Sequence, residues 1–143
     1  MAYQERAKKW YERALEEKDE FVKFLLFYIS LEVCVKLRFN RIRDVKNDNS
    51  IKKNFYNRID HEYLDKLKHV LDENPLQNLK SDVDPSWSGR LKSVADFGGI
   101  IEFIITARNN LFHGDKGLDE SRDVFIVKEG NKILQPLVEA IIL

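Results

Sequence analysis

The chain has 143 residues, which is enough to bury a substantial core, and we expect a single domain over residues 1–143. Its 24 lysine and arginine residues balance 24 aspartate and glutamate residues, so the overall charge does not indicate a nucleic-acid-binding protein. The single cysteine, Cys34, excludes an internal disulfide. Because it lies in an apolar helical run, we expect a small buried side chain in a reducing compartment rather than a catalytic thiol.

The amino-terminal part of the chain shows one long helical pattern. Apolar residues recur at helical spacing from Trp10 through Leu25 to Val35, which predicts a helix from about residue 3 to residue 39, with Asp19 as the point where it could bend. The amino terminus has no apolar signal core, and charged residues interrupt the longest apolar stretches. We therefore expect a cytoplasmic protein with no membrane partner.

The middle of the chain alternates loops with one further helical pattern. Polar residues cluster before residue 50 and predict a loop, after which apolar spacing predicts a helix over residues 53–71 that ends before Pro75. Residues 76–90 are rich in serine, aspartate, proline and glycine, and they predict a long loop pinned by Trp87.

A basic segment covers residues 36–58, with eight basic residues, two aspartates and three interleaved aromatic residues. The basic residues are Lys36, Arg38, Arg41, Arg43, Lys46, Lys52, Lys53 and Arg58, and the aromatic residues are Phe39, Phe55 and Tyr56. Cations that follow a phosphate backbone and rings that stack on bases hold single-stranded RNA in many proteins. We expect RNA contacts from Arg41, Arg43, Lys52 and Lys53, and from Lys116 farther along the chain. The alternative is that the charges solvate a helix end and that the rings belong to the core.

A nearly all-apolar helix is predicted over residues 94–112, and a helix of this kind is buried at the centre of a fold. One narrow polar stripe runs along it, consisting of Glu102, Thr106, Asn109, Asn110 and His113. Arg108 instead takes the place of an apolar residue, so its guanidinium points to a packed surface and needs a partner or a ligand. Gly114 ends the helix and leaves His113 in the last turn, where the helix dipole favours the protonated imidazole.

A final helix is predicted over residues 120–142, in register across Gly130. No part of the sequence favours a strand, so we expect an all-α fold, an antiparallel bundle of four or more helices. Neither His61 nor His69 has a histidine or cysteine partner at the spacing of a zinc site, and we expect no metal.

The end of the apolar helix resembles the signature of the HEPN family, an arginine and a histidine four to six residues apart with a polar residue often directly after the arginine. The matching residues are Arg108, Asn109 and His113, with four residues between arginine and histidine. The resemblance extends to the long first helix with its apolar run at residues 21–32, the irregular polar middle, and the final helix. It implies a HEPN-like bundle that acts as a cytoplasmic, dimeric ribonuclease on single-stranded RNA. It also implies that no cofactor is needed.

The chemistry of these residues suits that implied activity. The 2′-hydroxyl of the RNA attacks the adjacent phosphorus, so the enzyme must move protons and stabilise negative charge on the phosphate. His113 can transfer protons near neutral pH, Arg108 offers a planar fork that matches phosphate oxygens, and Asn109 can hold the imidazole. The motif supplies one histidine per chain, which is insufficient as both acid and base, and a helix this apolar must be partly covered by another subunit. Both points favour the homodimer with a composite interface site that the family implies.

By analogy, the resemblance further implies a role in prokaryotic defence or stress response, with an antitoxin or regulatory protein as a further partner. HEPN toxins paired with nucleotidyltransferase antitoxins carry a tyrosine where this chain has Asp115, which argues against that particular pairing. Two alternatives remain open. Arg108 could be structural, paired with a carboxylate such as Glu32, with His113 as a helix cap, or the chain could be a non-catalytic HEPN-like module for dimerisation or for nucleotide or partner binding.

Overall fold

The computed structural model describes residues 2–36, 38–76, 87–112 and 121–143. Within these residues the chain forms six α-helices, one 3₁₀ helix and no strand, so the expected all-α class is confirmed. The elements in chain order are α1 (Ala2–Glu16), α2 (Glu20–Val35), the 3₁₀ helix (Ile42–Asn47), α3 (Asn49–Arg58), α4 (His61–Glu73), α5 (Phe97–Phe112) and α6 (Ser121–Ile142). No described helix is both long and apolar enough to cross a membrane.

The prediction of one long amino-terminal helix is wrong, because the chain reverses between α1 and α2. Asp19 has an extended backbone, and its carboxylate accepts hydrogen bonds from the N–H groups of Phe21 (2.9 Å) and Val22 (3.1 Å), which caps α2. The Ser30 hydroxyl donates to the carbonyl of Ala7 at 2.6 Å, so the two helices form an antiparallel hairpin. A helix cap therefore stands where a bend was expected.

The helix predicted over residues 53–71 is also two helices. Asp60 caps α4 by accepting from the N–H of Glu62 at 2.9 Å, and Asp48 caps α3 by accepting from the N–H of Ile51 at 2.9 Å. The loop expected before residue 50 contains the 3₁₀ helix. In each case an aspartate satisfies the amide groups at a helix start, and this local preference overrides the continuous apolar spacing.

The helix α5 is central and buried, as its apolar sequence predicts. Ile100, Ile101, Phe103, Ile104 and Ala107 are all fully buried against other parts of the same chain. The expectation that a second subunit must cover this helix is therefore wrong, because α6 and the 3₁₀ helix already cover it.

The last helix, α6, matches its predicted bounds and packs closely on α2. A Cβ atom at Gly130 would lie 2.5 Å from Cε2 of Phe24, so glycine is what allows the backbone of α6 to approach this ring. Cys34 lies in the same core at 2 % exposure, and burial raises the pKa of its thiol to about 12, which confirms it as a buried side chain.

Trp87 packs against the core, in agreement with its expected role beside the long loop. The expected loop itself falls mostly on residues 77–86, which lie outside the described residues. The chain on either side is joined by a hydrogen bond from the N–H of Leu76 to the carbonyl of Gly89, at 3.0 Å. Gly89 has a φ of 79°, a conformation that favours glycine.

Candidate functional site

Arg108 lies on the last turns of α5 with its guanidinium partly buried. The guanidinium carbon sits 5.6 Å from the centre of the Tyr28 ring on α2, and Nη1 donates a hydrogen bond to Oδ1 of Asn109 at 3.1 Å. Asn109 itself is 7 % exposed. A ring face and an amide therefore help to orient the guanidinium.

Three charged side chains, those of Glu32, Arg43 and Arg108, interact electrostatically with the phenol of Tyr28. Burial raises the pKa of its phenol, and the carboxylate of Glu32 raises it further, whereas the cations of Arg108 and Arg43 lower it. The net effect disfavours the phenolate, so the side chain remains a neutral phenol well above neutral pH. The same interactions place Glu32, Arg43 and Arg108 within electrostatic range of one ring.

The described members of the polar stripe, Glu102, Thr106, Asn109 and Asn110, are buried. Glu102 forms an ion pair that was not expected from the sequence. Arg43 donates to both carboxylate oxygens of Glu102, with Nε to Oε2 at 2.6 Å and Nη2 to Oε1 at 3.0 Å. The side chains of Arg43 and Glu102 are 22 % and 6 % exposed. The signal that predicts such a pair is the acidic residue within an apolar helix, because a buried carboxylate needs a cation.

A cleft of about 250 Å³ lies between α2, the 3₁₀ helix and α5, and we call it the α2–α5 cleft. It is lined by Glu32, Val35, Lys36, Asn40, Arg41, Ile42, Arg43 and Ile105. Tyr28 is one helical turn from Glu32, and Arg108 is one turn from Ile105. The Tyr28–Arg108 contact therefore lies at one end of this cleft.

The structure brings some of the predicted RNA contacts to this cleft and leaves others elsewhere. Arg41 lines it with a side chain that is 68 % exposed and 3.4 Å from Asp44. Arg43 lines it too but is engaged with Glu102. Lys52 and Lys53 lie on α3 and are not among the residues that line the cleft. The predicted His113 and Lys116 lie outside the described residues.

The aromatic residues of the basic segment belong to the core, as the alternative interpretation held. Phe55 is fully buried, with its ring centre 5.5 Å from that of Phe97, and Phe39 and Tyr56 pack against the same core. They are therefore poorly placed to stack on RNA bases. The alternative pairing of Arg108 with Glu32 is not formed, because Glu32 makes no ion pair with any residue in the described part of the chain.

A second cleft, of about 460 Å³, lies between the α3–α4 junction and α6. It is lined in part by Arg58, Tyr63 and Glu139, and neither Arg108 nor Asn109 lines it. In the four described stretches, no three histidine, cysteine, aspartate or glutamate side chains gather into a group that could hold a metal ion. In comparisons with known proteins, no family model, no curated protein and no solved structure matches this chain.

Proposed function

We propose that this chain is a metal-independent endoribonuclease that cleaves single-stranded RNA by attack of the RNA's own 2′-hydroxyl group. The observation that carries the proposal is the placement of Arg108, 5.6 Å from the Tyr28 ring and bonded to Asn109, at the end of a cleft that also contains Lys36 and Arg41. Oriented cations beside a cleft suit a phosphodiester chain.

Arg108 is assigned to the phosphate that reacts. Its planar fork can donate two parallel hydrogen bonds to phosphate oxygens, and the charge on those oxygens grows as the 2′-hydroxyl attacks. Because the ring of Tyr28 and the amide of Asn109 already hold the guanidinium, little reorganisation is needed at the moment of reaction. Asn109 is thus a positioning residue for Arg108.

His113 is assigned to proton transfer. It follows Phe112, the last residue of α5, and four residues separate it from Arg108. Imidazole is the side chain best suited to gain and lose a proton near neutral pH. The attacking hydroxyl must lose a proton and the leaving oxygen must gain one. Because the motif supplies one histidine per chain, these two tasks support a homodimer in which two copies of His113 share them.

The exposed cations of the α2–α5 cleft are assigned to the RNA backbone. Lys36 and Arg41 are exposed and line the cleft, so they can contact flanking phosphates. Arg43 is reassigned to the ion pair with Glu102, since a guanidinium engaged with both oxygens of a buried carboxylate is a structural group. The family resemblance adds a role in prokaryotic defence or stress response, with an antitoxin or regulatory protein as a further partner.

The proposal is tested by incubating purified protein with a mixed-sequence single-stranded RNA in chelator. We expect cleavage by the wild-type chain and a loss of about 100-fold or more in the rate for Arg108→Ala and for His113→Ala. Two matched controls are available. Arg13→Ala removes an arginine that lies 5.4 Å from the ring of Trp10 on α1, and His69→Ala removes an exposed histidine of α4.

Both control variants are expected to cleave at the wild-type rate, because each removes the same type of side chain from outside the cleft. Far-UV circular dichroism checks that every variant keeps its helices. Equal loss in Arg108→Ala and Arg13→Ala would contradict the assignment of Arg108. Strict dependence on magnesium, or cleavage that survives in His113→Ala, would contradict the proposed chemistry.

A second candidate function is a non-catalytic HEPN-like module for dimerisation or for nucleotide or partner binding, and one observation favours it. Leu15, Val22 and Leu25 are 42 %, 40 % and 38 % exposed and lie near the turn between α1 and α2. Val22 and Leu25 are three residues apart on α2 and so share one of its faces, and exposed apolar groups on one face are typical of an interaction surface. Absence of RNA cleavage, together with a stable dimer that Leu25→Glu dissociates in sedimentation experiments, would favour this function.

A further inference from the structure

The α2–α5 cleft contains one carboxylate that the assignments above do not use. Glu32 is exposed and shares the cleft with Lys36, Arg41 and Arg43. Unlike Glu102, it makes no hydrogen bond or ion pair through its side chain with the rest of the described chain. A free carboxylate repels the phosphates of an RNA chain, and so it opposes binding unless it contacts another part of the nucleotide.

The shape of the cleft suits a nucleobase. Val35, Ile42 and Ile105 give it apolar walls, and its volume of about 250 Å³ is enough for one planar base. Single-stranded RNA is read through bases that are unstacked from their neighbours, placed against apolar or aromatic surface, and hydrogen-bonded along their edges. Glu32 lines this cleft with a carboxylate, whose two oxygens could both accept hydrogen bonds from such an edge.

The chemistry of a carboxylate selects one base. Its two oxygens accept two parallel hydrogen bonds, and guanine is the RNA base that offers two adjacent N–H donors, at N1 and N2. Adenine and cytosine place a ring acceptor beside their amino group, and uracil has one N–H between two carbonyl groups. Asn40 also lines the cleft, and its amide carries N–H donors that suit the O6 atom of guanine.

The register of the helices links this base site to the proposed phosphate site. Glu32 lies one turn after Tyr28 on α2, and Ile105 lies one turn before Arg108 on α5, so the two sites are separated by about 5.4 Å along the helices. That spacing is comparable with the span from a phosphate to a base of the adjoining nucleotide. We infer that Glu32 makes the α2–α5 cleft a guanine-selective subsite beside the phosphate bound by Arg108, an inference that rests on the proposed function.

Binding of nucleoside 3′,5′-bisphosphates, followed by NMR titration, tests this inference without requiring catalysis. Each of these probes carries one base and a phosphate group on both the 3′ and the 5′ oxygen of its ribose. We expect the guanosine compound to bind about 10- to 100-fold more tightly than the adenosine, cytidine and uridine compounds, the range given by one well-placed bidentate contact. In Glu32→Gln, which presents one donor and one acceptor, the preference for guanosine over adenosine should fall to about threefold or less.

Glu73→Gln is the matched control, since Glu73 is an exposed glutamate at the end of α4 and outside the cleft. It should keep the full preference. Equal binding of all four compounds by the wild-type chain would overturn the inference, as would a guanosine preference that survives in Glu32→Gln. RNA cleavage without guanosine selectivity in binding would contradict the proposed subsite but not the proposed nuclease activity. Guanosine selectivity that depends on Glu32, in a chain that cleaves no RNA, would support the subsite and remove the nuclease proposal.

Discussion

The ion pair between Arg43 and Glu102 should stabilise the fold and should contribute nothing directly to RNA binding. The perturbation that tests this is Glu102→Leu, which replaces a carboxylate that is 6 % exposed by an apolar group of similar size. The partner Arg43 is then left in a partly buried position without the carboxylate of Glu102. Arg43→Met removes the other half of the pair, and the double variant removes both charges.

The magnitude follows from the geometry. With N–O distances of 2.6 and 3.0 Å, the charge centres lie about 4 Å apart, and an effective dielectric constant of about 20 gives an attraction of about 4 kcal/mol. Removing one partner of a buried pair costs about 3–5 kcal/mol. Because Arg43 keeps 22 % exposure, we expect the lower end, about 3 kcal/mol. In a domain of this size that lowers the melting temperature by about 6–12 °C.

Urea unfolding of the wild type, both single variants and the double variant measures this cost and the coupling between the two side chains. The double variant should lose less stability than the two single variants together, by about 1 kcal/mol or more. Folded Arg43→Met should bind RNA within about twofold of the wild type, because its guanidinium is assigned no phosphate. Stability unchanged within about 0.5 kcal/mol, combined with weaker RNA binding, would refute the reasoning and restore Arg43 as an RNA contact.

Three further predictions concern the surface charge, a helix cap and a close helix contact. Arg41→Gln should weaken RNA binding and reduce the slope of affinity against salt by about one, without loss of stability; an unchanged slope would remove Arg41 from the RNA path. Asp48→Ala should cost about 1 kcal/mol at pH 7. The hydrogen bonds of the α3 cap and the cation of Arg38 hold the pKa of the Asp48 carboxyl below its usual range. The carboxylate therefore stabilises the fold above the unfolded-state pKa, and this stabilisation disappears as pH falls through the folded-state pKa. If the loss of stability in Asp48→Ala, measured by urea unfolding, stays constant into acid, this reasoning is contradicted. Gly130→Ala should destabilise the fold by about 1–2 kcal/mol, because the new Cβ would lie 2.5 Å from an aromatic carbon of α2. Gly98→Ala should instead stabilise α5, because the nearest atom to its Cβ would be 3.7 Å away. Equal effects of the two variants on urea unfolding would refute the close contact at Gly130.

The sequence predicts the helical class and the central position of α5 because both depend on the spacing of apolar residues within one segment. It fails at Asp19 and Asp60, where a capping side chain ends an apolar period that would otherwise continue, and local hydrogen bonding decides. These two aspartates divide predicted single helices into pairs.

The candidate site is predictable only in part, for a different reason. Arg108 stands out as a charge at an apolar position, but its contact with Tyr28 joins residues far apart in sequence, and so does the pairing of Arg43 with Glu102. A local surplus of positive charge does not reveal which cations face solvent and which are engaged with a buried carboxylate. Only the packing of α2, the 3₁₀ helix and α5 shows that Arg41 is exposed to solvent whereas Arg43 is paired with Glu102.

The most direct test of the central claim is the fate of an RNA in which one nucleotide is changed. After the wild-type cleavage site in a short RNA has been mapped in chelator, the same RNA is prepared with a single 2′-deoxy substitution at the nucleotide whose hydroxyl would attack. If the RNA itself supplies the nucleophile, the unmodified RNA gives a product with a 2′,3′-cyclic phosphate, and the substituted RNA is not cut at that site. Cleavage of the substituted RNA at the same position and rate would contradict the account.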